Sequence, residues 1–93
     1  MDLQDVTNLK RQLREEGYNI YVHSHPAGMV FPEHKHTHST VHVILSGQMA
    51  LIMDGEEYLL KSGDRLEIPA DVLHSAEVIG ESPVVCIDAR RGL

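Results

Sequence analysis

From residue 18 onward, the chain is a series of short apolar segments separated by turns that contain glycine, proline or aspartate. The pair Asp54-Gly55 stands between two of these segments and predicts a tight hairpin, because a type I′ turn needs positive φ at both central residues. Short strands joined by regular turns are typical of an all-β barrel or sandwich. We therefore predict eight strands, at residues 18–23, 29–31, 41–45, 49–53, 58–60, 65–68, 76–79 and 84–87.

The first residues follow a different pattern, which predicts one amphipathic helix. Its apolar side chains are three or four positions apart, with polar residues between them: Leu3, Val6, Leu9 and Leu13. Gly17 follows at a position typical of a helix C-cap. We expect this helix to cap an open end of the barrel or to pack on a partner chain. A chain of 93 residues has room for one domain, with the helix at 1–17 and the barrel at 18–93.

Charge and hydropathy argue against several classes of function. The formal net charge is −6 and the sequence has no run of basic residues, so we expect no nucleic-acid binding. Apolar runs are far shorter than the roughly 20 residues of a membrane-spanning helix, and the start of the chain lacks the pattern of a secretory signal. We therefore expect a cytoplasmic protein that does not bind membranes. The single cysteine, Cys86, lies in an apolar run and is expected to be buried.

The small size of the chain also bears on its stability. A domain of this length buries a modest share of its surface, so additional support is expected. A bound metal, a homodimer interface or both could supply it.

Four of the seven histidines lie within nine residues, at positions 34, 36, 38 and 42, and another follows at position 74. Residues two apart in a strand point to the same face, so His34, His36 and His38 would share one surface. Neutral imidazole nitrogens grouped in this way are typical of metal sites. His74 would complete such a site from another strand.

Two segments combine glycines and histidines at defined spacings. The first reads Gly28-x5-His34-x-His36-x3-Thr40-x6-Gly47, and the second reads Gly63-x5-Pro69-x-Asp71-x2-His74. They resemble the two motifs of the cupin family, the first of which runs glycine, five residues, His-x-His, three or four residues, glutamate, six residues, glycine. The resemblance covers about residues 18–88. It implies a jelly-roll barrel, also called a double-stranded β-helix, with a mononuclear divalent metal held by His34, His36 and His74.

The chain departs from the family pattern at the position that matters most for a metal. Thr40 occupies the place of the glutamate, and a hydroxyl is a poor substitute for a carboxylate. His42 lies two residues further on the same face of the strand, so it could act as a fourth ligand. Alternatively the site has three histidines and open positions. The candidate metal ligands are therefore His34, His36, His42 and His74, and imidazole suits Zn, Fe, Ni, Mn, Co or Cu.

Other polar residues are expected to have lesser roles. A different register, with His36, His38 and His42 as ligands, would spoil the glycine spacings of the motif. We instead expect His38 to lie exposed in a turn, and His23 and His25 to be surface residues. Asp88, near the end of the last predicted strand, could reach the barrel mouth but is not included in the site.

The residues leave the function open between an enzyme and a binding protein. A metal with a free coordination position could support a dioxygenase or an isomerase acting on a small molecule. The sequence offers no general base, because Thr40 replaces the acidic residue of the motif. The alternative is a non-catalytic module that binds or senses a small ligand, with a structural metal. Whether the protein is an enzyme, and which residues would be catalytic, stays undecided at this point.

Overall fold

The computed structural model describes residues 2–92, and it contains one helix followed by eight strands. The elements are α1 (Leu3–Glu15), β1 (Asn19–His25), β2 (Val30–His34), β3 (Ser39–Ser46), β4 (Gln48–Met53), β5 (Glu56–Lys61), β6 (Arg65–Ile68), β7 (His74–Ile79) and β8 (Val84–Arg91). The strands form two four-stranded antiparallel sheets: sheet A has the order β1-β8-β3-β6, and sheet B the order β2-β7-β4-β5. The predicted all-β fold with one N-terminal helix is confirmed.

Each predicted strand corresponds to an observed one, but most observed strands are longer. The prediction ended the last strand at residue 87, where the apolar run stops, whereas β8 continues to Arg91. The ladder continues because β8 pairs with β1 on one side and β3 on the other, so its backbone groups stay hydrogen-bonded. The predicted Asp54-Gly55 hairpin is present, with φ of 52° and 77°.

The main core lies between the two sheets. Alternate residues of each strand point inward, and together they exclude water from the space between the layers. Fully buried members of this core include Ile44, Leu51, Ile68, Val78 and Val84. This core occupies part of the space between the sheets and leaves a cavity beside it.

Helix α1 packs on the outer face of sheet A. Leu13 is completely buried there, in a second apolar cluster that includes Tyr18, Val43 and Ile87. This position contradicts one of our two expectations, that the helix caps an open end of the barrel. Arg91 contacts the end of the helix, since its Nη1 donates to the backbone oxygen of the C-cap Glu16 at 3.2 Å, and its guanidinium lies 4.5 Å from the Tyr18 ring centre. Among the described residues, no helix has the length and apolar character needed to cross a bilayer.

The turn between β3 and β4 brings backbone from different strands very close together. Gly47 has φ of 78°, in the left-handed region that favours glycine. A Cβ atom at this position would meet Pro83 O and would lie 2.8 Å from Val84 Cα, at the start of β8. Only a residue without a side chain fits this crossing.

Candidate functional site

Three histidines come together on one side of the cavity. His34 ends β2, His36 lies in the connection that follows, and His74 begins β7. Because β2 and β7 are antiparallel neighbours, His34 and His74 are paired directly across the ladder. Their ring centres are 4.3 Å apart, and the ring of His36 lies 4.8 Å from His34 and 5.2 Å from His74. One ring nitrogen from each of the three lies within 4.8 Å of the others.

Two rings of this cluster are fixed by the backbone. Nδ1 of His34 lies 2.6 Å from Pro32 O, and Nδ1 of His74 lies 2.9 Å from Val72 O. A carbonyl can only accept, so each Nδ1 carries the hydrogen, and Nε2 is the ring nitrogen that remains for another partner. This is the arrangement that orients histidines at metal centres. His74 is 3% exposed, whereas His34 and His36 are half-buried.

The surroundings favour neutral imidazole rings. Burial lowers the pKa of His36, and the neighbouring rings of His34, His74 and His38 lower it further. Burial also lowers the pKa of His42 to about 4, although the charge of Asp88 acts in the opposite direction. Neutral imidazole is the form that binds a metal, so neither ring has to lose a proton at neutral pH.

His42 lies in the same cavity but outside the compact cluster. It points inward from β3, on the same face as Thr40, as its position in the strand predicts. Within residues 2–92, the compact group of potential ligands consists of His34, His36 and His74. That grouping agrees with the motif register and not with the alternative register through His38 and His42.

The remaining histidines are less exposed than we predicted. His38 lies in the connection between β2 and β3 as expected, but it is half-buried and stacks on His36 with ring centres 5.1 Å apart. His23 and His25 are also half-buried and line the cavity. Their rings stack along β1, and His25 meets the edge of Phe31 at 4.9 Å. His23 and His25 therefore border the cavity, and His38 packs against the histidine cluster, so none of the three is a fully exposed surface residue.

The cavity has a volume of about 220 Å³ and two chemically different sides. Sheet B contributes the histidine cluster and apolar side chains: Phe31, Met49, Leu51 and Ala76. Sheet A contributes polar side chains from β3 and β8: Thr40, His42, Asp88 and Arg90. A ligand in this space would contact both sheets.

Asp88 and Arg90 are cavity residues that the sequence prediction left out of the site. Arg90 donates two hydrogen bonds to Asp88 Oδ2, at 2.8 and 3.2 Å, and lies over the Tyr21 ring at 4.9 Å. Nε2 of His23 lies 3.7 Å from the same oxygen. The alternation of strand positions could have identified both residues, because Asp88 and Arg90 lie two and four positions after Cys86 and share its face of β8. The prediction ended this strand at residue 87, where the apolar run stops, and therefore did not extend the alternation to them.

The residues of the cluster fit a divalent metal. Their donor atoms converge, burial and the neighbouring rings lower the pKa of His36, and backbone carbonyls accept from Nδ1 of His34 and His74, so that Nε2 is the atom left for an ion. The histidines of the cluster contribute no negative charge, so a bound ion would keep its full positive charge for other ligands. Oxygen donors of a small molecule suit such an ion.

Residues 20–90 match the protein family described as Cupin domain. A quercetin 2,3-dioxygenase of Bacillus subtilis is 43% identical over 60 residues, which are 62% of this chain and 18% of that protein. The crystal structure of a DMSP lyase from Ruegeria pomeroyi has a TM-score of 0.73 and 28% identity, covering 81% of this chain and 38% of that one. The crystal structure of a cupin protein from Bacteroides fragilis has a TM-score of 0.70 and 28% identity, covering 80% of this chain and 64% of that one. The chain thus spans less than two thirds of each of these proteins.

Proposed function

Because the chain belongs to the cupin family, we propose that it binds one divalent metal ion through His34, His36 and His74 and acts on a small molecule held in the adjacent cavity. The observation that carries this proposal is the convergence of three ring nitrogens within 4.8 Å at the side of that cavity. The candidate ions are Zn, Fe, Ni, Mn, Co and Cu, of which Zn, Fe, Ni and Cu suit imidazole ligands best. Three protein ligands leave coordination positions free, which a closed structural site does not.

We further propose that the reaction is a dioxygenation of a small enolisable molecule. When bound, a redox-active metal such as iron would supply the site at which oxygen and an oxygen-donor substrate meet. The partial match to a quercetin dioxygenase supports this choice over other cupin chemistry. With a redox-inert ion, the same arrangement favours an isomerase.

The side chains of the chain itself would bind and orient the substrate. Nε2 of His34 and His74 is presented by the backbone, so the ligand set needs little rearrangement. Phe31, Met49 and Leu51 line the cavity that holds the cluster, and a substrate bound against these apolar side chains would displace water from the site. Excluding water strengthens electrostatic interactions inside the site.

The second candidate function is a non-catalytic module that binds a small ligand. Thr40 favours this alternative, because a buried hydroxyl stands where the family motif has its acidic residue. In that case, the protein loaded with Fe²⁺ would bind enolisable ketones without consuming oxygen. Oxygen uptake above the level of metal-free protein would favour the enzyme.

The metal site is tested by its metal content. We expect about one ion per chain by elemental analysis of protein purified without chelator, and none in the triple His34→Ala, His36→Ala, His74→Ala variant. The reason is that the three rings supply the ligand atoms of the compact cluster. Full occupancy of the triple variant, with its fold verified by circular dichroism, would contradict the site.

Two single variants serve as controls for the ligand set. His23→Ala removes a histidine that lines the cavity outside the cluster, and we expect it to keep the metal. His42→Ala distinguishes three ligands from four. Retention of the metal is expected if His42 only lines the cavity.

A further inference from the structure

Three polar side chains on the inner face of sheet A, two of them buried and His42 half-buried, each have a buried atom without a hydrogen-bond partner. The atoms are Thr40 Oγ1, His42 Nδ1 and Asp88 Oδ1, and no group in residues 2–92 bonds to any of them. Thr40 and Asp88 are 2% and 7% exposed. Leaving such a group unpaired is costly, so a buried polar atom of this kind needs an explanation. We call these three residues the polar wall.

The strand register makes the polar wall one continuous surface. His42 is the direct cross-strand partner of Asp88, and Thr40 is the partner of Arg90. All of these residues line the cavity whose other side carries the histidine cluster. A molecule bound at the cluster and extending across the cavity would therefore meet the polar wall.

The charges in and beside the polar wall determine which ligand groups it can bind. Arg90 already occupies Asp88 Oδ2 with two hydrogen bonds, so the Asp88–Arg90 pair has no net charge to attract an anion. Oδ1 of the Asp88 carboxylate can only accept, whereas the Thr40 hydroxyl can donate or accept. A hydroxyl group on the ligand matches both partners. A carboxylate or phosphate would place negative charge against Oδ1.

The size of the cavity limits the rest of the ligand. Its volume of about 220 Å³ is below the range of about 300–1,000 Å³ that holds drug-sized molecules. The same cavity is also lined by Phe31, Met49 and Leu51, which suit an apolar body. One ring or a short chain fits these dimensions.

We propose that the polar wall is a hydroxyl-recognition subsite, and that the ligand is a small oxygen chelator with a neutral hydroxyl at its far end. The chelating oxygens bind the ion at the histidine cluster, and the far hydroxyl donates to Asp88 Oδ1 and contacts Thr40. This inference rests on the proposed metal site. It adds the substrate class and the residues that determine specificity.

Three hydroxypyranones with the same chelating group test the subsite. Kojic acid carries a hydroxymethyl group at the far side of its ring, allomaltol has a methyl group there, and comenic acid has a carboxylate. Isothermal titration calorimetry on the Zn²⁺-loaded protein gives the affinity for each. We expect kojic acid to bind about tenfold more tightly than allomaltol, the gain of one hydrogen bond to a charged group. Comenic acid should bind most weakly.

Variants of the polar wall connect this preference to its residues. Asp88→Asn removes the charged acceptor, and we expect the kojic acid preference to fall to about twofold. Thr40→Val keeps the shape of the side chain and should reduce the preference about fivefold if the hydroxyl contact is made. Glu77→Gln changes an exposed carboxylate on the outer face of sheet B and should leave the preference unchanged. Zinc content is measured for each variant, since all should retain the ion.

The outcomes separate the subsite from the metal site. Equal affinities for kojic acid and allomaltol in zinc-loaded protein would overturn the subsite and leave the metal proposal standing, with water as the occupant of the polar wall. Tightest binding of comenic acid would overturn its hydroxyl specificity. Zinc-loaded protein that binds no probe would overturn the assignment of the cavity as a chelator site. Failure to bind zinc would overturn the proposed function, and the subsite with it.

Discussion

Single hydrogen bonds decide which atom each histidine presents. His34 and His74 each bond to the carbonyl of the residue two positions before them in the chain, Pro32 and Val72. The same local arrangement thus occurs on two neighbouring strands, and in both it leaves Nε2 for the cavity. The backbone therefore orients the rings of His34 and His74.

Cys86 gives a test at the level of one residue. It is 2% exposed on the inner face of β8, and burial, together with the charge of Asp88, raises the pKa of its thiol to about 11. The thiolate is the reactive form, so we expect the native protein not to react with Ellman's reagent at pH 8 and to react fully in denaturant. The raised pKa also means that stability is lost as the pH rises from 9 towards 11, because the unfolded chain ionises first.

Labelling of Cys86 has a simple control, since the chain has one cysteine. Cys86→Ser should give no signal in either state. Rapid stoichiometric reaction of the folded protein would show that this face of β8 is open to solvent.

Sequence spacing was sufficient to predict which histidines lie together, but not what surrounds them. His34, His36 and His74 were predictable because motif spacing reflects the strand register that brings them together. Asp88 was expected within reach of the barrel mouth but left out of the site, and Arg90 was missed, because a polar residue at an inward-facing strand position resembles the end of a strand. Their burial depends on the cavity, which forms only when the two sheets pack.

At the level of elements, the strands and turns were the most predictable part of the chain. The alternation of apolar and polar residues and the presence of turn residues are local signals. The bounds of β4 and β6 and the hairpin at Asp54-Gly55 were therefore predicted correctly or nearly so. The packing of α1 on sheet A was not predictable, because an amphipathic pattern shows that a face is buried without showing what covers it.

The turn at Gly47 gives a test of how the elements are joined. We expect Gly47→Ala to destabilise the fold by about 3 kcal/mol, the sum of a positive-φ penalty and a backbone clash. The new Cβ would meet Pro83 O and Val84 Cα, which are backbone atoms of the crossing strand and cannot move aside easily. Chemical denaturation measures the change in the free energy of unfolding.

Gly63→Ala is the matched control for this substitution. Gly63 also has positive φ, of 92°, but a Cβ there would have no neighbour within 4 Å. The free energy of unfolding of Gly63→Ala should therefore fall only by the conformational penalty of about 1 kcal/mol. Equal decreases in the free energy of unfolding for the two variants would show that the close backbone contact at Gly47 does not affect stability.

At the level of the whole molecule, the outer face of sheet B is the surface that would allow association. Val30, Ile52 and Leu59 are exposed there, whereas α1 covers the outer face of sheet A. Exposed apolar side chains on one face favour contact with another protein surface. We predict a homodimer, with a mass of twice the 10.4 kDa chain in light scattering.

The double variant Ile52→Glu, Leu59→Glu should be monomeric if this face forms the interface. Leu3→Glu is its control, because Leu3 is 83% exposed on α1, away from sheet B. A monomer mass for the unmodified protein that does not change with concentration would contradict the dimer.

The placement of the cluster has a consequence for how the protein would acquire its ion. His34, His36 and His74 belong to an edge strand, the connection after it and the neighbouring strand, while the main apolar core is made by other residues. Loading or removal of an ion at the proposed site would involve this edge of the molecule and leave the packing of the two sheets intact. The same folded chain could then exchange one metal for another during its lifetime. Since imidazole accepts several ions, the metals available around the protein would govern which ion the proposed site holds.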